Sequence, residues 1–338
     1  MQKYDVYSLG NALVDIEFEV SANTLQQLDI EPEVMTLIDA NKHQQLLSHV
    51  EGVKHEKACG GSAANTVIAL TQLGGKGFYS CKIANDDFGH FYLEDIHRNG
   101  LDTNLNKSDL PDGTTGKCIA MITPDAKRSM NTYLGISDTL SIAELSTDAI
   151  ANSQYVYFEG YSVTSEHTHA AALKARDIAK QHQVKISLSL SDPNMAKFFA
   201  PKLHEIIGDG IDLIFCNEEE AYIFTQTRDL DEACAILKTK AKAFAITRGA
   251  QGSIVFDGQQ YHDVATTQVK TVDTLGAGDM YAGAFLYALT HHGYNYLQAA
   301  KLANFMATQI VTCFGPRLTQ EKVTALLREH DNTKRQAS

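Results

Sequence analysis

Short apolar segments alternate with amphipathic segments along the second half of the chain. The apolar segments, which predict buried strands, are 155–158, 185–190, 213–216, 243–247 and 253–256. Segments with helical periodicity are 167–182, 200–207, 218–225, 230–238 and 297–311. Strands that alternate with helices predict an α/β fold, with a mostly parallel central sheet flanked by helices on both faces. Such sheets bind ligands beyond the carboxyl ends of their strands.

The first half of the chain predicts a second, smaller sheet. Segments 4–9 and 76–82 predict further strands of the large sheet, and 59–73 predicts a helix. Segments 115–123 and 129–134 predict a hairpin across the turn 124–127, and 15–55 lacks a βαβ pattern. The predicted domains are a large one (1–14, 56–112 and 136–330), a small one (15–55 and 113–135) and a polar, disordered tail (331–338).

Composition narrows the classes of function. The formal net charge of −12 argues against nucleic acid as the main partner, because binding to phosphate backbones needs a basic surface. No apolar segment approaches the roughly 20 residues that span a bilayer, so no membrane partner is expected. The six cysteines are scattered without a CxxC pair, which favours reduced thiols and a cytoplasmic protein.

The most informative stretch is Gly276-Ala277-Gly278-Asp279, which precedes a long apolar run. Glycines allow backbone N–H groups to converge where a helix begins, and that end of a helix attracts anions. Asp279 either caps the helix or accepts a proton from a group that attacks a bound anion. The stretch alone leaves both interpretations open.

Other polar residues follow predicted strands and also have two interpretations. Asn217 and Glu220 have the spacing of a capping box, and equally of a hydrated Mg²⁺ site near phosphates. Thr247-Arg248-Gly249, with Gly252, is either an ordinary turn or a phosphate contact.

The segment around Gly60 and Gly61 is either a tightly packed helix start or a place where a polyol approaches the backbone. In the second case Asp15 and Asn65 hydrogen-bond the hydroxyls of the ligand.

Several motifs are absent. The sequence has no GxxxxGK[ST], no HRD or DFG, and no GxSxG, which excludes P-loop enzymes, protein kinases and hydrolases with a nucleophile elbow. The glycines after the first strand do not form GxGxxG, which argues against the hypothesis of a nicotinamide-dependent oxidoreductase.

Taken together, these residues resemble the ribokinase (PfkB) family of sugar and nucleoside kinases. Residues 273–279 (DTLGAGD) match its carboxyl-terminal signature, Gly60-Gly61-x-x-x-Asn65 its amino-terminal one, and Asn217-x-x-Glu220 its magnesium motif. The resemblance covers nearly the whole chain. It implies a ribokinase-like fold in which the small β-sheet is a lid, and a reaction that uses ATP and Mg²⁺.

The resemblance also implies roles for single residues. Asp279 would be the catalytic base, and Gly276, Ala277 and Gly278 would form the anion hole with it. Asn217 and Glu220 would hold Mg²⁺ through water. Nucleotide binding is expected at Thr247, Arg248, Gly249, Gly252 and Asn304, and a K⁺ site at Asp273, Leu275 and Gly315.

The acceptor is expected in the lid. The segments around Asn11, Asp15 and Arg128 resemble the corresponding segments of adenosine kinases. This resemblance implies that Arg128 reaches the transferred phosphate. Six apolar lid residues could flank a base: Phe18, Met35, Leu37, Met121, Met130 and Tyr133. The same pattern is also that of any sheet with one apolar face. Adenosine is the preferred acceptor, and fructose, ribose, inosine and guanosine are the alternatives.

The sequence of segment 189–193 departs from the pattern of the family, whose members often have an asparagine in this turn. A degenerate, nucleoside-binding regulatory protein is a remote alternative, because the catalytic motifs are intact. A monomer and a homodimer that pairs through the lids are both compatible with the sequence. We expect the lid to close on substrate.

Overall fold

The computed structural model describes residues 3–31, 35–49, 55–123 and 128–337. In chain order the described strands are β1 (Tyr4–Leu9), β2 (Leu13–Glu19), β3 (Met35–Leu37), β4 (His55–Gly60), β5 (Gly77–Ser80), β6 (Asp102–Thr103), β7 (Gly116–Ile122), β8 (Arg128–Tyr133), β9 (Ser153–Phe158), β10 (Lys185–Ser189), β11 (Ile211–Asn217), β12 (Ala241–Thr247), β13 (Ser253–Phe256) and β14 (Tyr261–Val264).

The described helices, again in chain order, are α1 (Ala22–Gln27), α2 (Ala40–His49), α3 (Ser62–Gln72), α4 (Asp87–Arg98), α5 (Thr147–Ala151), α6 (Glu166–Gln181), α7 (Pro193–Phe198), α8 (Ala200–Ile207), α9 (Glu218–Thr225), α10 (Leu230–Leu237), α11 (Ala277–Thr290), α12 (Tyr296–Ile310) and α13 (Gln320–Ala337).

The large sheet has the strand order β14-β13-β12-β11-β10-β9-β1-β5-β6 within the described residues. All of its pairs are parallel except those of β13 with β12 and β14. Successive side chains of a strand point to opposite faces. Tyr157 and Phe215 accordingly pack with α3, α11 and α12 on one face, whereas Phe158 and Ile214 pack with α6 and α8 on the other. The predicted α/β architecture is confirmed.

The small sheet has the order β3-β8-β7-β2-β4 among the described strands. β7 and β8 pair antiparallel, which confirms the predicted hairpin, although its turn at 124–127 lies outside the described residues. One face of this sheet packs on α1 and α2 through residues such as Phe18, Leu46 and Met121. The other face is turned toward the large sheet.

The limits of the small sheet differ from the predicted limits of the small domain. β2 already begins at Leu13, and β4 continues to Gly60. Both strands therefore cross the predicted boundaries, at 14/15 and 55/56, and β2 connects the end of β1 directly to the small sheet. The division into domains stays a prediction.

The carboxyl terminus corrects one expectation. The predicted disordered tail 331–338 is wrong for residues 331–337, which continue helix α13 to Ala337. Val323 and Leu326 anchor the first turns of this helix in the core, and extending an existing helix costs far less than starting one. No helix in the described ranges combines the length and the apolar character needed to cross a membrane.

Candidate active site

A cavity of about 700 Å³ lies between the two sheets, where several parallel strands end. Its wall includes Asn11, Glu159 and Ser191 from the loops after β1, β9 and β10, and Asn217 and Thr247 from the ends of β11 and β12. The small sheet covers the opposite side, and residues 273–279 line the cavity beneath it. The predicted strand ends therefore meet at one place.

Asp279 stands in the first turn of α11 and faces this cavity. Its Oδ1 accepts a hydrogen bond of 2.6 Å from Ser62 Oγ, and its Oδ2 accepts one of 3.0 Å from Asn65 Nδ2. Burial raises the pKa of the Asp279 carboxyl, and the two hydrogen bonds and the charge of Arg317 oppose that rise. The carboxylate is thus held in place by residues of the other glycine motif.

The amino terminus of α11 is open toward the cavity. Gly276 precedes the helix with φ at 74°, and a side chain there would collide with the carbonyl of Pro316. No side chain of the described residues caps this end, so the N–H groups of Gly278 and Asp279 lack the partners that helix geometry gives to later residues. Those N–H groups and the helix dipole suit an anion.

The amino terminus of α3, which also follows a glycine, borders the cavity as well. Gly61 has φ at 96°, and a side chain there would collide with the carbonyl of Asn11. A side chain on Gly60 would likewise meet the Asp15 carboxylate. Asn11 is buried and lines the cavity, and its Oδ1 has no hydrogen-bond partner among the described residues. The residues predicted to bind the acceptor, Asn65 included, therefore lie together.

Glu159, which belongs to none of the sequence motifs, connects these loops. It is 1% exposed, and its two oxygens accept from the backbone N–H groups of Asn11 (2.9 Å) and Ala63 (2.7 Å). Burial raises the pKa of Glu159 to about 7, against the effect of those two hydrogen bonds. The available signal was a glutamate directly after the apolar segment 155–158.

Tyr161 was also missed, because nothing in its sequence context marks it. It lines the cavity, where burial raises the pKa of its hydroxyl well above the usual value. The nearby carboxylates of Asp192, Asp279, Glu159 and Glu220 add to that rise. The cavity therefore concentrates negative charge.

Asn217 and Glu220 form the capping box that their spacing predicts. Asn217 Oδ1 accepts from the Glu220 N–H at 2.8 Å, and both Glu220 oxygens accept from Asn217, at 2.7 and 3.0 Å. Glu220 is 5% exposed, and burial raises its pKa to about 7. Both residues line the cavity, so the cap does not exclude a role toward a cation.

The predicted nucleotide-binding residues divide into two groups. Thr247 and Gly249 line the cavity. Arg248, Gly252 and Asn304 do not line it.

These three residues instead lie against β14. Arg248 pairs with Asp263 at 2.5 Å and is 12% exposed, and Asn304 Nδ2 donates to the Val264 carbonyl at 2.8 Å. A side chain on Gly252 would collide with the same carbonyl.

The residues predicted for K⁺ lie in contact with one another. Asp273 Oδ1 accepts from the Leu275 N–H at 3.1 Å, and Oδ2 accepts from the Gly315 N–H at 3.0 Å. Asp273 thereby joins the loop before α11 to the segment after α12. A K⁺ ion at these residues stays a prediction.

The segment 189–193, which departs from the family pattern, borders the cavity in a strained conformation. Ser191 has φ at 67°, a region that non-glycine residues rarely adopt. Its Oγ accepts from the Gly160 N–H at 2.8 Å, and Asp192 caps α7. Burial raises the pKa of Asp192. No group of three metal-ligating side chains occurs within the described ranges.

Alternation in the small sheet separates the apolar residues predicted to flank a base. Met35, Leu37 and Met130 line the cavity, whereas Phe18 and Met121 lie in the core of the opposite face. Tyr133 stacks on His43, with ring centroids 4.9 Å apart. Arg128 begins β8, but its side chain lies outside the described part of the protein.

Known proteins resemble the chain over most of its length. The model of the pfkB family carbohydrate kinases matches residues 33–323. Adenosine kinase from Sinorhizobium meliloti has a TM-score of 0.88 and 32% identity, covering 99% of this chain and 100% of that one. A probable sugar kinase from Rhizobium etli CFN 42 has a TM-score of 0.88 and 31% identity, covering 99% of both chains.

Plant fructokinases are similar as well. Fructokinase-2 of Solanum lycopersicum is 30% identical over 243 residues, which cover 68% of this chain and 72% of the relative. The chain is therefore a member of the pfkB family of carbohydrate kinases, phosphotransferases whose acceptor is a hydroxyl group.

Proposed function

We propose that this kinase transfers the γ-phosphate of ATP to the 5′-hydroxyl of adenosine, giving AMP. The observation that carries the proposal is the position of Asp279 at the open amino terminus of α11, in the cavity that Met35, Leu37 and Met130 of the small sheet also line. A proton acceptor and an anion site thereby adjoin a surface that suits a base.

In the proposed mechanism Asp279 accepts the proton of the attacking hydroxyl. Ser62 and Asn65 hold its two oxygens, so the carboxylate keeps one orientation. The N–H groups at the start of α11 stabilise the charge that builds on the transferred phosphoryl group, which is the main requirement of phosphoryl transfer.

The residues present fit a magnesium ion that is bound largely through water. Mg²⁺ usually keeps several waters and needs one or two carboxylates beside substrate phosphates. Glu220 is a buried carboxylate on the cavity wall; burial raises its pKa, and the neighbouring carboxylates of Asp192, Glu219 and Asp279 add to the rise. Glu220 and Asn217 would hold the hydrated ion, which neutralises phosphate charge when it is bound.

The lid supports a nucleoside acceptor. Six apolar residues of its inner face line the cavity: Leu13, Met35, Leu37, Ala120, Met130 and Leu134. An adenine base needs an apolar slot and gains from burial of its faces, whereas a free hexose needs hydrogen-bond partners all round. The similarity to the adenosine kinase of Sinorhizobium meliloti along the whole chain supports the same acceptor.

A sugar such as fructose is the second candidate. Asp15, Glu17 and Thr132 add polar groups to the same face of the lid, and these can bind hydroxyls. The 30% identity to the tomato fructokinase also favours this alternative.

A panel of acceptors tests the proposal. ATP-dependent phosphorylation is measured with adenosine, inosine, guanosine, fructose and ribose, and kcat/KM should be highest for adenosine. Met130→Ser should lower kcat/KM for adenosine about 10-fold through lost apolar contact. Phe198→Ser, which removes an exposed apolar side chain outside the cavity, is the matched control. A higher kcat/KM for fructose than for adenosine would replace the proposed acceptor.

A further inference from the structure

Four polar side chains from three helices and one loop form a continuous chain that ends at Asp279. Asp95 of α4 accepts from Arg317 Nη1 at 2.5 Å, and Arg317 Nε donates to Asn65 Oδ1 at 2.6 Å. Asn65 Nδ2 in turn donates to Asp279 Oδ2 at 3.0 Å. Asn65 and Asp279 belong to the two glycine motifs of the sequence, whereas Asp95 and Arg317 belong to neither.

Arg317 decides which end of the Asn65 amide faces Asp279. A guanidinium carries only donors, so the amide atom beside it has to be the oxygen. The amide nitrogen then faces Asp279 and donates to it. Without Arg317 the amide can rotate and present its oxygen to the carboxylate, which repels it.

The Arg317 side chain is itself held firmly. It is 14% exposed, and its partner Asp95 is 16% exposed, so the ion pair is largely shielded from water. Asp95 Oδ1 additionally accepts from Asn99 Nδ2 at 3.3 Å. The guanidinium spans two partners in fixed directions, which the single ammonium of a lysine does less well.

We propose that Arg317 is a positioning residue, which fixes the Asn65 amide so that Asp279 is held in the orientation of the catalytic base. This inference rests on the proposed role of Asp279. Arg317 acts through Asn65 and is not assigned a contact with either substrate.

The alternative is a purely structural role, in which Arg317 only fastens the segment after α12 to α4. The two roles differ in their dependence on Asn65. A positioning effect vanishes once Asn65 has lost its amide, whereas a structural effect persists.

The test is a double-variant cycle on kcat. Arg317→Met should lower kcat at least about 10-fold, because a small displacement of a catalytic group is costly. In the Asn65→Ala background the same change should lower kcat less than about 3-fold. Arg317→Lys, which keeps the charge but places all its donors on one nitrogen, should recover part of the loss. Arg176→Met, which removes another arginine from an ion pair remote from the cavity, is the matched control.

The pH profile of kcat gives a second readout. The titratable and charged groups that face Asp279 are Tyr157, Glu159, Tyr161, Glu220 and Arg317. The first four are the same in the variant, so a difference between the profiles reports on Arg317. Loss of its positive charge favours protonated Asp279, so the acidic limb of the Arg317→Met profile should move to higher pH.

The outcomes separate this inference from the proposed function. Normal kcat and an unmoved acidic limb in Arg317→Met, beside an inactive Asp279→Asn, would overturn the inference alone. Equal losses from Arg317→Met in both backgrounds would also overturn it, in favour of the structural role. Full activity of Asp279→Asn would overturn the base role on which both proposals depend. If Arg317→Met does not fold, the pair Asp95→Asn with Arg317→Met removes both charges, and the same results are expected.

Discussion

Glu159 is a buried carboxylate that holds two loops of the cavity at once. The pKa of Glu159 is about 7 in the folded protein and ordinarily about 4.5, because burial penalises its ionised form. A raised carboxyl pKa means that the folded state binds the proton more tightly than the unfolded state does. Its contribution to stability is therefore fully present below about pH 4.5 and is lost as the pH rises through about 7.

Replacing Glu159 by Gln should flatten this dependence. In the wild type the free energy of unfolding should fall between about pH 5 and about pH 8, and in Glu159→Gln it should fall less. The variant should also lose about 1–3 kcal/mol at low pH, since an amide cannot accept from both backbone N–H groups. Denaturant unfolding followed by circular dichroism at the two pH values measures both effects.

Glu144→Gln is the control for this prediction. Burial raises the pKa of Glu144, but hydrogen bonds from Ser141 and Lys82 outweigh burial, so the net shift is downward. The contribution of Glu144 to stability is lost only as the pH falls. Glu144→Gln should therefore keep the wild-type dependence of the free energy of unfolding on pH. A Glu159→Gln slope equal to that of the wild type would show that Glu159 does not titrate in this window.

At the residue scale, the sequence predicts groups that belong to local motifs and misses those that act across the chain. Asp279, Asn65, Asn217 and Glu220 sit at motif spacings, and the structure brings them to one cavity. Glu159 lies 148 positions from Asn11 in sequence, so no local pattern indicates their hydrogen bond. Arg248 was predicted from a turn that does line the cavity, but its side chain turns away to Asp263.

The loop before α11 is the element on which the anion site depends. Gly276→Ala should destabilise the protein by about 1–3 kcal/mol, because alanine is strained at this φ and its Cβ meets the Pro316 carbonyl. The displaced N–H groups should also lower kcat at least about 10-fold.

Gly293→Ala serves as the matched control. Gly293 has φ at 61°, but no atom of the described residues lies within 4 Å of the position that a Cβ would occupy. The Gly293→Ala substitution should lower the free energy of unfolding through backbone strain alone and leave kcat unchanged. Equal kcat values in Gly276→Ala and the wild type, compared in the same assay, would mean that this loop does not form the anion site.

At the element scale, the regular βα segments were predictable and the small sheet was only partly so. The β7–β8 hairpin follows from two segments with alternating apolar and polar residues on either side of a turn. β2 is hard to recognise because it continues almost directly from β1, although its alternation of charged with apolar residues is typical of a half-buried strand, in which Asp15 and Glu17 face the cavity. The same alternation decides that Met35 faces the cavity and Met121 does not, which a list of apolar residues cannot show.

At the scale of the whole molecule, the cavity is closed on one side by a sheet that few elements support. Only β2 and β4 continue directly into β1 and α3 of the large unit among the described strands of the small sheet. Substrates that bind between the sheets should therefore draw them together.

Hydrogen exchange should report this closure. Adding adenosine with a non-hydrolysable ATP analogue should slow amide exchange in β2, β3 and β8, whereas β5 and β6 at the far edge of the large sheet should be unaffected. Exchange in the small sheet that is the same with and without both ligands would contradict a closing lid.

The most direct test of the account concerns Asp279 itself. Asn at this position keeps the size of the side chain but is not a proton acceptor at the hydroxyl, so Asp279→Asn should lower turnover of adenosine and ATP at least about 100-fold. Calorimetry should show that the variant still binds adenosine with an affinity close to that of the wild type. Near-normal turnover of Asp279→Asn would contradict the assignment of Asp279 as the base.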